Sequence, residues 1–197
     1  NLSDNYIKEF PYSSLVRIRR GNIDATILGK NPIFFTLSKG KAVLASVRLA
    51  SAFFGRGQFK TEKVERVEDT FVLNWEYEWG YFQPLAKRKK ANYVLPFDED
   101  RKRREMSEMQ TLKAQITISE KDGFFELAFE LEGTDNVPMA IELAFRKGGK
   151  LEGVDKSTLV NQTYLFNGTP AYYKFKNNSI RIETEKSEHE WTTIRGG

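Results

Sequence analysis

A long alternation in residues 71–81 constrains the fold of this chain more than any other feature of its sequence. Large apolar or aromatic residues occupy every second position there: Phe71, Leu73, Trp75, Tyr77, Trp79 and Tyr81. Successive side chains of a β-strand point to opposite faces of the sheet, so this spacing predicts one long strand with an aromatic face. The other face carries Asn74, Glu76 and Glu78, which water or a polar ligand could reach.

The aromatic face has two interpretations. Large aromatic side chains fill the space between two packed sheets, and their enrichment in strands favours this core interpretation. Aromatic rings beside carboxylates are also a common arrangement in proteins that bind sugars. The alternative is therefore a ligand-binding surface of Trp75, Tyr77 and Trp79.

The same alternation recurs in the middle of the chain. Apolar residues alternate with polar ones in three segments, residues 112–118, 125–131 and 137–145. Polar outer faces and short turns are typical of antiparallel strands, and three such strands in succession predict a meander.

Shorter strands are predicted on both sides of this region. The Gly21-Asn22 dipeptide predicts a hairpin turn after a strand at residues 14–20. Residues 41–52 fit a buried strand or a helix by periodicity alone, and their valines and flanking glycines favour a strand. A charged edge strand is predicted at residues 59–66. Further short strands are predicted at residues 23–27, 33–37, 163–166, 171–176 and 180–183.

Ten or more predicted strands without a long helix imply two stacked sheets. The predicted fold class is all-β, a large two-sheet antiparallel β-sandwich of the supersandwich-like kind with at most one short helix. That helix is predicted at residues 98–109, because Asp98 can cap it and acidic residues suit its first turn. Residues 1–197 fit one domain, and Asn1 in place of methionine suggests a fragment of a larger protein.

The composition limits the chemistry. The chain has no cysteine, which excludes disulfides, thiolate zinc sites and cysteine nucleophiles. Its single histidine, His189, lies between Glu188 and Glu190 and is the one candidate for acid-base work near neutral pH, although a lone histidine is more often a surface or packing residue. No phosphate loop, nucleophile elbow or metal-ligand cluster is present. We therefore predict no catalytic residue, no metal and no cofactor.

One pair of carboxylates leaves an enzymatic alternative open. Glu76 and Glu78 share a strand face, where alternate residues are roughly 7 Å apart, and this spacing permits glycosidase chemistry. Acidic residues on one strand more often face solvent, because an antiparallel sheet normally has one wet face.

Basic residues supply a second set of binding candidates. The net charge is +4, and two four-residue basic runs, residues 87–90 and 101–104, include Lys87, Arg88 and Arg103. Such runs can bind a polyanion, although they are usually solvated. Arg56, between two glycines, could contact a carboxylate, sulfate or phosphate, but a plain turn is the commoner role. The runs lack interleaved aromatic residues, which argues against nucleic acid, and no apolar stretch is long enough to span a membrane.

Four groups of residues share the strand patterns of one known domain family. They are residues 47–55 (VRLASAFFG), 137–149 (VPMAIELAFRKGG), 164–166 with 171–173 (YLF and AYY), and 188–191 with 194–196 (EHEW and IRG). These segments resemble the C-terminal β-sandwich of heparinase II/III-like proteins, and the resemblance spans most of the chain.

The resemblance implies a larger protein in which a helical toroid precedes the sandwich and acidic polysaccharides are cleaved by elimination between the two parts. The family's catalytic tyrosine and histidine belong to the toroid, so none is assigned here. Some members hold zinc with histidines and acids, and a chain with one histidine departs from that pattern. Periplasmic or extracellular localisation also follows from the resemblance.

The expected function is therefore that of a non-catalytic sandwich domain of a polysaccharide-processing protein, the parent being a polysaccharide lyase. Its expected partners are an N-terminal helical domain and an acidic polysaccharide. Candidate ligand-binding residues are Arg56, Trp75, Tyr77, Trp79, Lys87, Arg88, Arg103 and His189. The alternative is a freestanding carbohydrate-binding or protein-interaction module.

Overall fold

The computed structural model describes residues 3–51, 57–83, 104–158 and 161–185. Within these ranges the protein is an antiparallel all-β sandwich, and the one helix described is a three-residue 3-10 turn at Pro11–Ser13. The predicted fold class is thus confirmed. The strands are β1 (Asn5–Phe10), β2 (Leu15–Arg20), β3 (Ile23–Leu28), β4 (Phe35–Lys39), β5 (Ala42–Ser51), β6 (Gly57–Gln58), β7 (Glu65–Val67), β8 (Thr70–Phe82), β9 (Met106–Lys121), β10 (Phe124–Gly133), β11 (Met139–Phe145), β12 (Lys150–Glu152), β13 (Val154–Lys156), β14 (Tyr164–Phe166), β15 (Ala171–Phe175) and β16 (Asn178–Ile182).

Two large sheets form the sandwich. The seven-stranded sheet has the order β1-β2-β3-β4-β5-β11, with β6 added beside β5, and the four-stranded sheet has the order β10-β9-β8-β7. The predicted hairpin after residues 14–20 is present as β2 and β3, and Gly21 in its turn has a φ of 57°, which favours glycine. The aromatic strand is confirmed as β8, and residues 41–52 contain the predicted strand as β5.

The core lies between the inner faces of these two sheets. Alternate residues of the central strands, including Ile18, Ile27, Leu73 and Ile116, are fully buried. Aromatic rings from the two sheets meet across the core, and Phe34 lies 5.5 Å from Phe59 and 6.1 Å from Phe129 between ring centroids. Burial of these apolar faces is the main favourable contribution to folding.

An ion pair also joins the two sheets. The guanidinium of Arg20 on β2 donates two hydrogen bonds to the carboxylate of Glu120 on β9, at 2.7 and 3.1 Å. The Glu120 side chain is only 5% exposed and also accepts the backbone N–H of Gly123 at 2.7 Å. A bidentate contact of this kind holds the β9–β10 turn against β2.

Two smaller sheets complete the described part of the chain: β12-β15-β16 and β13-β14. The first is attached to the sandwich by Tyr173, whose ring stacks on Phe145 at 4.7 Å and whose hydroxyl donates to the Arg146 carbonyl. On its surface, the hydrogen bond from Lys174, with help from Lys150, lowers the pKa of the Glu152 carboxyl.

Two predictions about local structure are wrong where the structure describes them. Residues 106–109 begin β9 instead of ending a helix: Met106 and Ser107 pair with β8, and Glu108 and Met109 lie at a register shift in the ladder. Pairing with β8 outweighs a local capping signal, and residues 98–103 lie outside the described residues. Residues 59–66 form no continuous strand. Phe59 and Thr61 are buried while Lys60 and Glu62 are exposed, so burial alternates as in a strand. Residues 65–66 belong to the edge strand β7, whereas residues 59–64 are in no strand of the described part of the chain.

The predicted meander of three strands is also wrong. β9 and β10 form a hairpin, but β11 crosses to the other sheet and pairs with β5, with Leu143 opposite Val47. A strand with one apolar face alternates in the same way in either sheet of a sandwich, so the pattern does not determine its partner.

Phe34→Ala should destabilise the protein by about 3–5 kcal/mol, because it removes a ring from the contact between the sheets and leaves a cavity. Urea unfolding measures this cost. Phe124→Ala is the matched control, since that ring is 70% exposed. This substitution should change the free energy of unfolding by no more than about 0.5 kcal/mol. Equal costs for the two variants would contradict the location of the core.

Arg20→Met should lower the free energy of unfolding by about 2–4 kcal/mol, because it leaves the buried Glu120 carboxylate without its cation. The control is Arg48→Met, which removes a more exposed pair between Arg48 and Glu142 at 2.8 Å. That change should cost less than about 1 kcal/mol. The comparison again uses the free energy of unfolding, and a larger loss for Arg48→Met would refute the proposed role of Arg20.

Candidate functional site

The aromatic face of β8 divides into a core part and an accessible part. Phe71 and Leu73 are buried in the core, whereas Trp75, Tyr77 and Trp79 are half-buried. The division follows from length, because the 13 residues of β8 span roughly 43 Å and the six residues of β2 or β3 about 20 Å. The core interpretation is therefore confirmed for Phe71 and Leu73, while the half-buried Trp75, Tyr77 and Trp79 remain candidates for a ligand-binding surface.

The accessible part is a row of parallel rings, which we call the aromatic row: Trp75, Tyr77 and Trp79. The ring of Tyr77 lies 5.9 Å from Trp75 at an interplanar angle of 7°, and 6.1 Å from Trp79 at 14°. Phe59 meets Trp75 edge-on at 6.1 Å, and Phe82 meets Trp79 edge-on at 5.9 Å. Such offset and edge contacts are the favoured geometries between aromatic rings.

The spacing of the aromatic row limits how a ligand can contact it. A sugar ring inserted between two aromatic faces needs about 7–8 Å between them, twice the usual carbon–carbon contact distance. The observed separations of 5.9 and 6.1 Å are shorter. The aromatic row therefore leaves no room for a sugar ring between neighbouring aromatic faces.

A cleft of about 480 Å³ opens beside the inner end of this row. Its volume is within the range of small-molecule sites. β8 contributes Asn74, Trp75, Glu76 and Tyr77. The other lining residues come from the segment before and within β7: Gln58, Lys60, Thr61, Glu62, Lys63 and Glu65.

Residues 58–65, which form the wall of the cleft opposite β8, are held in place by buried groups. The ring of Phe59 is fully buried, and the Thr61 carbonyl accepts the backbone N–H of Lys30 at 2.7 Å. The hydroxyl of Ser14 accepts the backbone N–H of Val64 at 2.8 Å. These contacts fix the wall of the cleft to the sandwich, so the cleft does not depend on a free loop.

The cleft combines aromatic surface with both signs of charge. Its lining residues include three glutamates and two lysines, together with Gln58 and Asn74. Lys63 pairs with Glu65, and Glu76 Oε1 lies 3.5 Å from Lys113 Nζ. This lining offers many hydrogen-bond donors and acceptors but no excess of positive charge, which suits a ligand rich in hydroxyl groups.

The structure brings together part of the predicted binding set. Trp75 and Tyr77 line the cleft, and Trp79 continues the aromatic row without lining it. Glu76 and Glu78 lie on the exposed face of β8, as expected of same-strand acids that face solvent. The remaining candidates, Arg56, Lys87, Arg88, Arg103 and His189, lie outside the described residues.

The sequence analysis missed the residues of the second wall. Gln58, Lys60 and Glu62 were not candidates, because residues 59–66 were interpreted as an ordinary edge strand. The signal present in the sequence was the alternation of Phe59 and Thr61 with charged residues, shortly before the β7–β8 turn.

The described ranges contain no group of three or more histidine, cysteine or acidic residues placed to hold a metal ion. They also contain no helix that is long and apolar enough to cross a membrane.

Comparison of the chain with models of protein families, with curated proteins and with solved structures finds no match.

A double-mutant cycle tests the geometry of the aromatic row. Trp75→Leu and Tyr77→Leu should be non-additive by about 0.5–1.5 kcal/mol in urea unfolding, the usual coupling between contacting rings. A control cycle pairs Trp75→Leu with Tyr12→Leu, since Tyr12 is 97% exposed. That cycle should be additive within about 0.5 kcal/mol. Additivity in both cycles would show that the two rings of the row do not interact.

Proposed function

We propose that this chain is a non-catalytic β-sandwich domain that binds glycan in the cleft beside Trp75 and Tyr77. The observation that carries the proposal is a cleft of about 480 Å³ at β8 whose lining residues combine Trp75 and Tyr77 with glutamates, lysines, Gln58 and Asn74. Sugars present apolar C–H surfaces and hydroxyl groups together, so a site that binds them needs apolar and polar partners side by side.

The resemblance to heparinase II/III-like proteins supports a more specific form of the proposal. In that form the domain belongs to a polysaccharide-processing protein, supports a helical catalytic domain that precedes it, and contacts an acidic glycan. The cleft itself has more carboxylates than ammonium groups. Attraction of an acidic glycan is therefore assigned to the basic runs that contain Lys87, Arg88 and Arg103.

A freestanding carbohydrate-binding module is the second candidate. It is favoured by the fact that both walls of the cleft belong to this one chain. The coding sequence ahead of Asn1 distinguishes the two: several hundred helix-rich residues there support the two-part protein, and their absence supports the module.

Calorimetric titration with a panel of neutral and uronic-acid oligosaccharides tests glycan binding. At least one sugar should bind, and Asn74→Ala should weaken it about 3–10-fold, the effect of one lost hydrogen bond. Asn5→Ala is the matched control, because Asn5 is also an exposed strand asparagine but lies on β1, away from the cleft, and it should leave binding unchanged.

The same titration at two salt concentrations separates the two forms of the proposal. Binding of an acidic sugar through the basic runs should weaken as salt rises, whereas binding of a neutral sugar in the cleft should not change. If no sugar of either class binds, or if Asn74→Ala and Asn5→Ala behave alike, glycan binding in this cleft is refuted.

A further inference from the structure

The outer edge of the four-stranded sheet has the properties of a second binding surface. β10 is its last strand and pairs only with β9 among the described strands. Along its ten residues, backbone N–H and C=O groups on the outer side therefore have no strand partner in the described ranges. Such an edge is a template for one more strand, and proteins usually protect it.

The outward face of β10 is acidic. Glu126, Glu130 and Glu132 are exposed on that face, and the described residues give none of them an ion pair. Gln115 donates to Glu130 at 3.4 Å, and Lys113, which lies opposite Glu132 in the ladder, is 3.5 Å from Glu76 instead. A strand placed beside β10 would set its own side chains next to these carboxylates.

The inward face of β10 is apolar and incompletely covered. Phe125, Leu127 and Phe129 are half-buried against the core, and Leu131 is 43% exposed although its ladder partner Ala114 is buried. On the same flank of the sandwich, β11 is the last strand of the other sheet and its inward residue Ile141 is 46% exposed. Apolar side chains of an added strand would cover Leu131.

We propose that β10 binds an extended peptide segment in which basic residues alternate with apolar ones, so that the segment becomes a fifth strand of the sheet. Main-chain hydrogen bonds supply the binding, and the alternation supplies the selectivity. The basic residues face the three glutamates, and the apolar residues continue the inner face of the sheet.

A second copy of this chain does not have the required chemistry. Antiparallel pairing of two β10 strands brings the glutamates of one copy beside those of the other, and like charges across a ladder are destabilising. The acidic edge therefore opposes self-association while it accepts a basic strand.

The experiment uses the whole chain and a ten-residue peptide in which lysine alternates with valine. A control peptide has the same composition with its lysines and valines in separate blocks, so that both carry the same charge. NMR amide exchange should slow at alternate residues of β10 with the first peptide, which should bind about tenfold more tightly than the block peptide. Protection elsewhere in the sheet, or equal affinity for both peptides, would overturn the proposal.

A charge reversal gives the second test. Glu130→Lys/Glu132→Lys should weaken binding of the alternating lysine–valine peptide about tenfold, since two cross-strand pairs change from attraction to repulsion. The same variant should bind a peptide in which glutamate alternates with valine. Asp4→Lys/Asp69→Lys changes the net charge equally at exposed positions away from β10 and should bind like the unchanged chain. Equal loss in both variants would show only bulk charge attraction, and dimerisation of the unchanged chain through β10 would refute the choice of partner.

Discussion

The burial of two inner sheet faces of unequal length is the constraint on which the rest of this structure depends. The six-residue strands β2 and β3 cover about 20 Å, whereas β8 and β9 have 13 and 16 residues and extend well beyond them. Apolar side chains of the long strands join the main core where the shorter sheet faces them, and Leu112, opposite Tyr77, is buried outside that cluster. Phe71 and Leu73 lie inside this limit and Trp75 lies at its edge. The core and the candidate site are therefore successive parts of one strand.

Ring contacts connect these two parts. Each ring centroid lies 5.5–6.1 Å from the next along one continuous series: Phe129, Phe34, Phe59, Trp75, Tyr77, Trp79 and Phe82. Phe34 and Phe59 are fully buried, so the accessible rings are supported by a close-packed interior. A ligand that binds to rings already held in place loses little entropy in ordering them. The core and the shape of the cleft are therefore coupled at Phe59, whose ring is in the core and whose neighbours Gln58 and Lys60 line the cleft.

Alternation with a period of two was enough to predict the large strands and their buried faces, because it reports the face on which each side chain lies. It could not predict which sheet β11 joins, since an inward face looks the same in either sheet. The capping signal failed at residues 106–109, which belong to β9 and of which Met106 and Ser107 pair with β8. Trp75 and Tyr77, which line the cleft, could be named as candidates from the strand alone. The opposite wall, residues 58–65, could not, because its position depends on hydrogen bonds to distant strands.

The two flanks of the sandwich differ in how their edge strands are linked, and this difference determines what each flank can bind. On one flank the edge strands β1 and β7 are linked by Glu9 and Arg66 at 2.9 Å, and the cleft lies beside β7. On the other flank no ion pair or strand pairing among the described residues links β10 to β11, and Leu131 and Ile141 stay half-exposed. The long strand β9 separates the cleft wall on β8 from the edge of β10. A glycan in the cleft and a peptide at β10 would therefore contact different sides of the same sheet. Since neither ligand would occupy the space of the other, the two proposed interactions are compatible within one domain.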